Sequence, residues 1–119
     1  MIRTTMRGLL AGVCLGSAMG GMHDFSLRSV HAHINLLGWA SMLGIGLLMR
    51  LLGDKLSARL AWVQFWLHQL ALPVIVVALV SVVRGNPALE PVLAIMSIVV
   101  VLSVLVMVFN LWVHLKVDA

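Results

Sequence analysis

The sequence predicts an all-α membrane protein: a single domain over 1–119, built as an up-down bundle of four transmembrane helices with both termini inside. Three observations predict it. Hydrophobic residues make up 62% of the chain and charged residues 10%, with a mean hydropathy of +1.12; soluble domains carry about 25% charge and about 45–50% apolar residues. Four apolar stretches, 6–22, 30–52, 60–83 and 88–115, approach the roughly 20 residues with which a helix crosses a hydrocarbon core of about 30 Å. The polar connections between them, "HDFSLRS", "GDKLSA" and "RGNP", are short, and short connections join antiparallel neighbours.

The first stretch is short. Arg3 and Arg7 followed by an apolar run and small residues resemble a cleaved secretory signal. However, Gly8, Gly12, Gly16 and Gly20 recur every fourth residue, which lines them along one helical face of the small-xxx-small packing type. A signal core has no use for such a face, so a retained helix is the expectation. The second stretch opens on "SVHAHINLLGW", the third holds "QFWLHQLALP", and the fourth is the most apolar.

Lys and Arg in short loops set orientation. Arg3, Arg7, Arg50, Lys55, Arg59 and Lys116 fall on one side, Arg28 and Arg84 on the other. The richer side is the inner one, which puts His31 and His33 near the outer face. The pI near 10.8 comes from these scattered segment-end residues and forms no basic run or stripe, which argues against nucleic acid as a partner and for membrane lipid. The lone Cys14 excludes an intrachain disulfide and metal motifs of the CxxC type.

Five histidines stand out in so apolar a chain. Ionisable residues inside a membrane face a partner or a cavity and mark function. Neutral imidazole is the commonest protein ligand for metals, haem iron among them. His31 and His33 are two positions apart, so they point about 200° apart around a helix and serve different sites, one on either side. His31 shares its face with Asn35, Gly38 and Met42; His33 shares its face with Leu37, Ala40 and Gly44. Small residues beside a histidine leave room for a flat macrocycle, and Asn35, one turn on, is placed to orient the His31 ring. The plainer reading of the pair is interhelical hydrogen bonding.

His68 is expected about 12 Å in from the inner side and His33 about 6 Å from the outer edge, some 12 Å apart along the normal of a core of about 30 Å. Axial ligands of one iron lie only about 4 Å apart, from metal–nitrogen bonds near 2 Å, so these two do not share an iron. His68 then contacts a macrocycle edge, a quinone or another helix, with Gln64 and Gln69 beside it and Pro73 freeing a carbonyl in the next turn. His114, beside Trp112 and Lys116, reads as an interfacial anchor. His23 is a solvated loop residue and a further candidate ligand. The eight methionines are scattered over several faces and read as packing rather than as copper ligands.

At "RSVHAHINLLGW" the chain resembles subunit I of the heme-copper oxidases and the related nitric oxide reductases. Arg28-Ser29-Val30-His31 resembles the R-x-x-H that opens the second helix in one branch of that family, whose histidine ligates the low-spin haem near the outer face. His31-Ala32-His33 also resembles the H-x-H of the tenth helix, where the two histidines point to two haems. "FWLHQLALP" around His68 resembles a stretch in short stand-alone relatives. The large subunit is built from three four-helix arcs, and this chain corresponds to one.

The resemblance implies b-type haem ligated by His31 and His33, with Arg28 on a propionate and Asn35 and His68 beside the cofactor. It also implies a homo-oligomer, possible as a trimer, in which His31 of one protomer faces His33 of the next. Electron transfer, or haem handling and sensing, in a bacterial-type inner membrane is the expected role. The chain has no tyrosine and nothing like the copper-ligand histidine pair, so oxygen reduction by this chain alone is not expected. Two other readings are a cofactor-free assembly partner that uses the Gly8–Gly20 stripe as its partner surface, and an enzyme with a metal at His31, His33 and His68.

Overall fold

The computed structural model describes residues 2–115. Four long helices account for most of them: α1 (Ile2–Met22), α2 (Arg28–Leu52), α3 (Ala58–Val83) and α4 (Glu90–His114). There is no strand among the described residues. Lys116, counted above with the inner basic residues, lies outside them. By length and composition α2, α3 and the stretch Pro87–His114 can each cross a membrane. The 21-residue α1 falls outside that group, because Arg3, Thr4, Thr5 and Arg7 and its glycines dilute its apolar content.

The helices start two to four residues earlier than hydropathy places the first three, because capping and turn chemistry set the ends. The amide of Asp24 reaches back to the Met19 carbonyl at 3.1 Å, and His23 closes α1 at φ 51°, a left-handed conformation that His tolerates better than most residues. Ser57 caps α3 by accepting from the Leu60 amide at 3.4 Å, filling one of the donors that a helix start leaves open. Gly85, at φ 89°, ends the α3 side of the next turn. Asn86 then accepts from the Ala88 amide at 3.1 Å, and a short 3-10 turn, Pro87–Leu89, leads into α4.

α2 is not a uniform α-helix. Its middle, Ile34–Ala40, is a π-helix, in which the amide and the hydroxyl of Ser41 both reach the Leu36 carbonyl, the latter at 2.6 Å. Such segments carry an extra residue in the turn and shift the register of everything beyond them.

Packing follows the chain: α1 lies on α2, α2 on α3 and α3 on α4. Ala71, Ile75 and Val100 form the buried core, with Leu37, Leu93, Met96 and Val99 packed around it. The outward faces are apolar, with Trp62, Trp66, Leu70, Val101, Phe109 and Trp112 exposed, as lipid rather than water requires. The 23–27 loop and the Arg84 turn share one end, where the Arg84 charge reaches Asp24.

Candidate functional site at the start of α2

The glycine stripe of α1 is a packing face, as its spacing predicts, and α2 occupies it. Gly8 meets Gly38, where a Cβ on Gly8 would lie 2.6 Å from the Gly38 carbonyl oxygen. Gly12 meets the Asn35 amide, and Gly16 meets His31, whose Cε1 would lie 2.8 Å from an added Cβ. Gly20 faces open space. The stripe is therefore spent within the chain rather than offered to a partner.

Its complement is a polar ridge on α2. Trp39 Nε1, a donor only, bonds Asn35 Oδ1 at 2.9 Å. That fixes the amide with Nδ2 facing the His31 carbonyl, 2.9 Å away. Nδ2 also lies 3.3 and 3.1 Å from the two ring nitrogens of His31. One amide cannot lie along both in-plane lone pairs, so it sits against the ring without committing either nitrogen. Asn35 thus contacts His31 as its spacing predicts.

His33 is arranged differently. Its Nδ1 is 2.8 Å from the Ser29 carbonyl oxygen. A carbonyl only accepts, so Nδ1 carries the proton and Nε2 is the basic nitrogen, with no protein partner. A backbone carbonyl on the far nitrogen is how proteins orient an imidazole that ligates a metal, fixing tautomer and raising basicity. The ring is half-buried and lies away from α1, opposite His31. Both residues precede the π segment, so the α-helical angle between them stands. Arg28 is exposed at the first position of α2, one turn before His31.

His68 sits elsewhere. It is fully buried, with Nε2 2.7 Å from the Leu37 carbonyl of α2 and Nδ1 3.3 Å from Ser103 Oγ of α4. Of the contacts expected for it, it makes the one to other helices, and it joins two of them. It meets α2 four residues beyond His33, about 6 Å of axial rise, rather than the ~12 Å expected. The gap narrows because α2 starts at Arg28 and α3 at Ala58, which moves both histidines deeper. Among the described residues no three His, Cys, Asp or Glu side chains gather around a metal position, and both His68 nitrogens are taken.

Sequence reasoning missed the α3/α4 seam. Asn110, fully buried, accepts from the Ser57 amide at 2.9 Å and donates to its carbonyl at 3.1 Å. Gln64, fully buried one turn before His68, has neither its oxygen nor its nitrogen bonded. Ser103 and Asn110 lie seven apart on α4, two turns on one face, which is the signal that marks them. Gln69, expected beside His68, is half-buried with Nε2 unbonded. His114 is exposed and its Nδ1 donates to the Asn110 carbonyl at 3.0 Å; His23 is exposed in its loop.

One imidazole with a fixed tautomer and a bare basic nitrogen can supply one axial bond to an iron. Among the described residues at the start of α2, His33 is the one that presents such a nitrogen. No model of a known protein family matches the chain, and neither the curated proteins nor the solved structures give a match.

Proposed function

We propose that the protein is a haem-binding membrane protein that carries b-type haem between copies of the chain, near the outer ends of the helices. His33, through Nε2, and His31 of a neighbouring copy would hold the iron. The observation that carries this reading is the His33–Ser29 bond, which leaves Nε2 basic and aimed away from α1. Arg28, exposed one turn before His31, would pair with a propionate.

Bound haem would supply reversible one-electron chemistry, and ligation by two imidazoles would suit electron transfer better than oxygen chemistry. In this reading all four helices cross a bacterial-type inner membrane with both termini inside, the orientation that the basic residues favour. The single-arc size and the half-buried ring of His33, whose Nε2 has no protein partner, favour a homo-oligomer, a trimer in the arrangement that the resemblance implies.

Purification in mild detergent, with a pyridine haemochrome assay and a mass measurement, tests this. Haem b near one per chain in an oligomer is the expected result; a colourless protein after haem-supplemented expression would overturn it. A second reading, a cofactor-free assembly partner, is favoured by His31, whose ring is closed in by Gly16 and Asn35. It predicts that colourless protein, held with a larger membrane complex.

A further inference from the structure

The glycine contact joins α1 to α2 over only part of their length. Gly8 meets the Gly38 backbone. Beyond that point, towards Arg50, a cleft of about 390 Å³ opens between the two helices, within the ~300–1,000 Å³ of small-molecule sites. Met6 and Leu9 of α1 form one side, and Trp39, Leu43 and Leu47 of α2 the other. Fully buried Met42 lies at its base. Gly46, with no side chain, leaves the middle open. Trp39 has its one polar side-chain atom engaged by Asn35, so the lining is apolar along almost its whole length. Met6, Leu43 and Leu47 are exposed, which opens the cleft sideways to the surroundings of the bundle.

The one charged lining residue is Arg50, exposed in the last turn of α2. From Trp39 to Arg50 is eleven residues, about 16 Å of rise. That is about half of a hydrocarbon core of roughly 30 Å, which α2 is long and apolar enough to cross. The cleft therefore runs the depth of one leaflet, with its apolar end near mid-membrane and its cation at the surface. An acyl chain has that length and that polarity. The same end of the bundle also exposes Arg3, Arg7, Lys55 and Arg59, against Asp54 as the one acid there among the described residues. This balance favours an anionic headgroup over a zwitterionic one, as basic pockets between membrane helices do.

We propose that the α1/α2 cleft is a binding site for one anionic phospholipid, with an acyl chain laid from Leu47 to Trp39 and the phosphate on Arg50. The site uses neither His31 nor His33 and holds whether or not haem is bound.

Two measurements on the full-length protein test this. In the first, the unmutated chain is placed in phosphatidylcholine nanodiscs containing phosphatidylglycerol with a photoreactive diazirine halfway along one acyl chain, and the adducts are mapped by mass spectrometry. Adducts concentrated on Met6, Leu9 and Leu43 are expected. Adducts spread evenly over these and the exposed α4 residues Val101 and Leu105 would overturn the proposal, as would a second copy of the chain crosslinked there in place of lipid. In the second, delipidated protein in detergent is titrated with phosphatidylglycerol or phosphatidylethanolamine and read by native mass spectrometry. One phosphatidylglycerol per chain is expected, held about fivefold more weakly in Arg50→Gln and unchanged in Arg59→Gln. Phosphatidylethanolamine held as tightly would overturn the headgroup assignment. Equal weakening in both variants would show diffuse surface charge and overturn the site. Arg50 and Arg59 are both exposed, so neither variant disturbs a packed face.

Discussion

His33 gives the proton on Nδ1 to the carbonyl of Ser29, 2.8 Å away, which leaves Nε2 as the basic nitrogen of its ring. His31, two residues earlier, has neither nitrogen so committed and packs against Gly16 of α1. The two histidines of one motif are therefore chemically unlike. Only His33 has its ring oriented by a backbone carbonyl.

That difference predicts unequal mutants. His33→Ala should lose the haem absorption altogether, whereas His31→Ala should keep a haem with a changed ligand, because the His33 ring is oriented by Ser29 while the His31 ring packs against Gly16. Optical and EPR spectra of the two purified variants check this. Identical spectra with full haem content in both would contradict the assignment.

The α1/α2 contact predicts a graded glycine series. Gly8→Ala pushes a methyl into the Gly38 backbone and Gly12→Ala pushes one into an Asn35 amide already held by Trp39. Each should cost about 1–3 kcal/mol, the usual range for overpacking. Gly16→Ala meets the edge of a ring that can rotate and should cost less. Gly20→Ala meets nothing and should stabilise by about 0.5–1 kcal/mol through helix propensity. Thermal unfolding in detergent reads the order.

Asn110→Ala removes both bonds to Ser57 and leaves the Ser57 backbone amide unmatched at the start of α3, while the Ser57 carbonyl keeps the Ala61 amide. A loss of about 1–3 kcal/mol is expected from unmatched buried polar groups. Hydrogen exchange should localise the loosening to the first turns of α3 and the last turns of α4.

The exposed loop offers a pH test. The amide of Ser26 bonds the Asp24 carboxylate at 3.0 Å. This bond, with help from the Ser26 hydroxyl and the Arg84 charge, holds the Asp24 carboxyl below its ordinary value of 3.8. A lowered folded value means the carboxylate favours the fold above pH 3.8 and stops doing so as pH falls through the lower folded value. The Ser26 amide NMR shift should therefore be flat at neutral pH and move only in strong acid. Asp24→Asn should abolish that movement.

Much of this architecture is legible in the residues, for physical reasons. The apolar runs place the helices, and the four-residue glycine repeat marks the side of α1 that packs. Opposed directions for His31 and His33 follow from helix geometry alone. The π segment Ile34–Ala40 was not legible, because no residue pattern distinguishes an i→i+5 turn from an α turn in "INLLGWA". Without it the contact between Leu37 and His68 has no sequence signature; the depth of His68 relative to His33 comes out too large because α2 and α3 start earlier than hydropathy places them. Ser103 and Asn110 were overlooked because each is a single polar residue in a long apolar run; only their spacing opposite Gln64 and His68 gives them away.

The most direct test of the account is the reduced-minus-oxidised absorption spectrum of the purified protein beside that of His33→Ala. The account predicts a low-spin b-type spectrum, with a Soret band that shifts to longer wavelength on reduction, in the wild type and none in the variant. A colourless wild type, or a spectrum unchanged in His33→Ala, would contradict it.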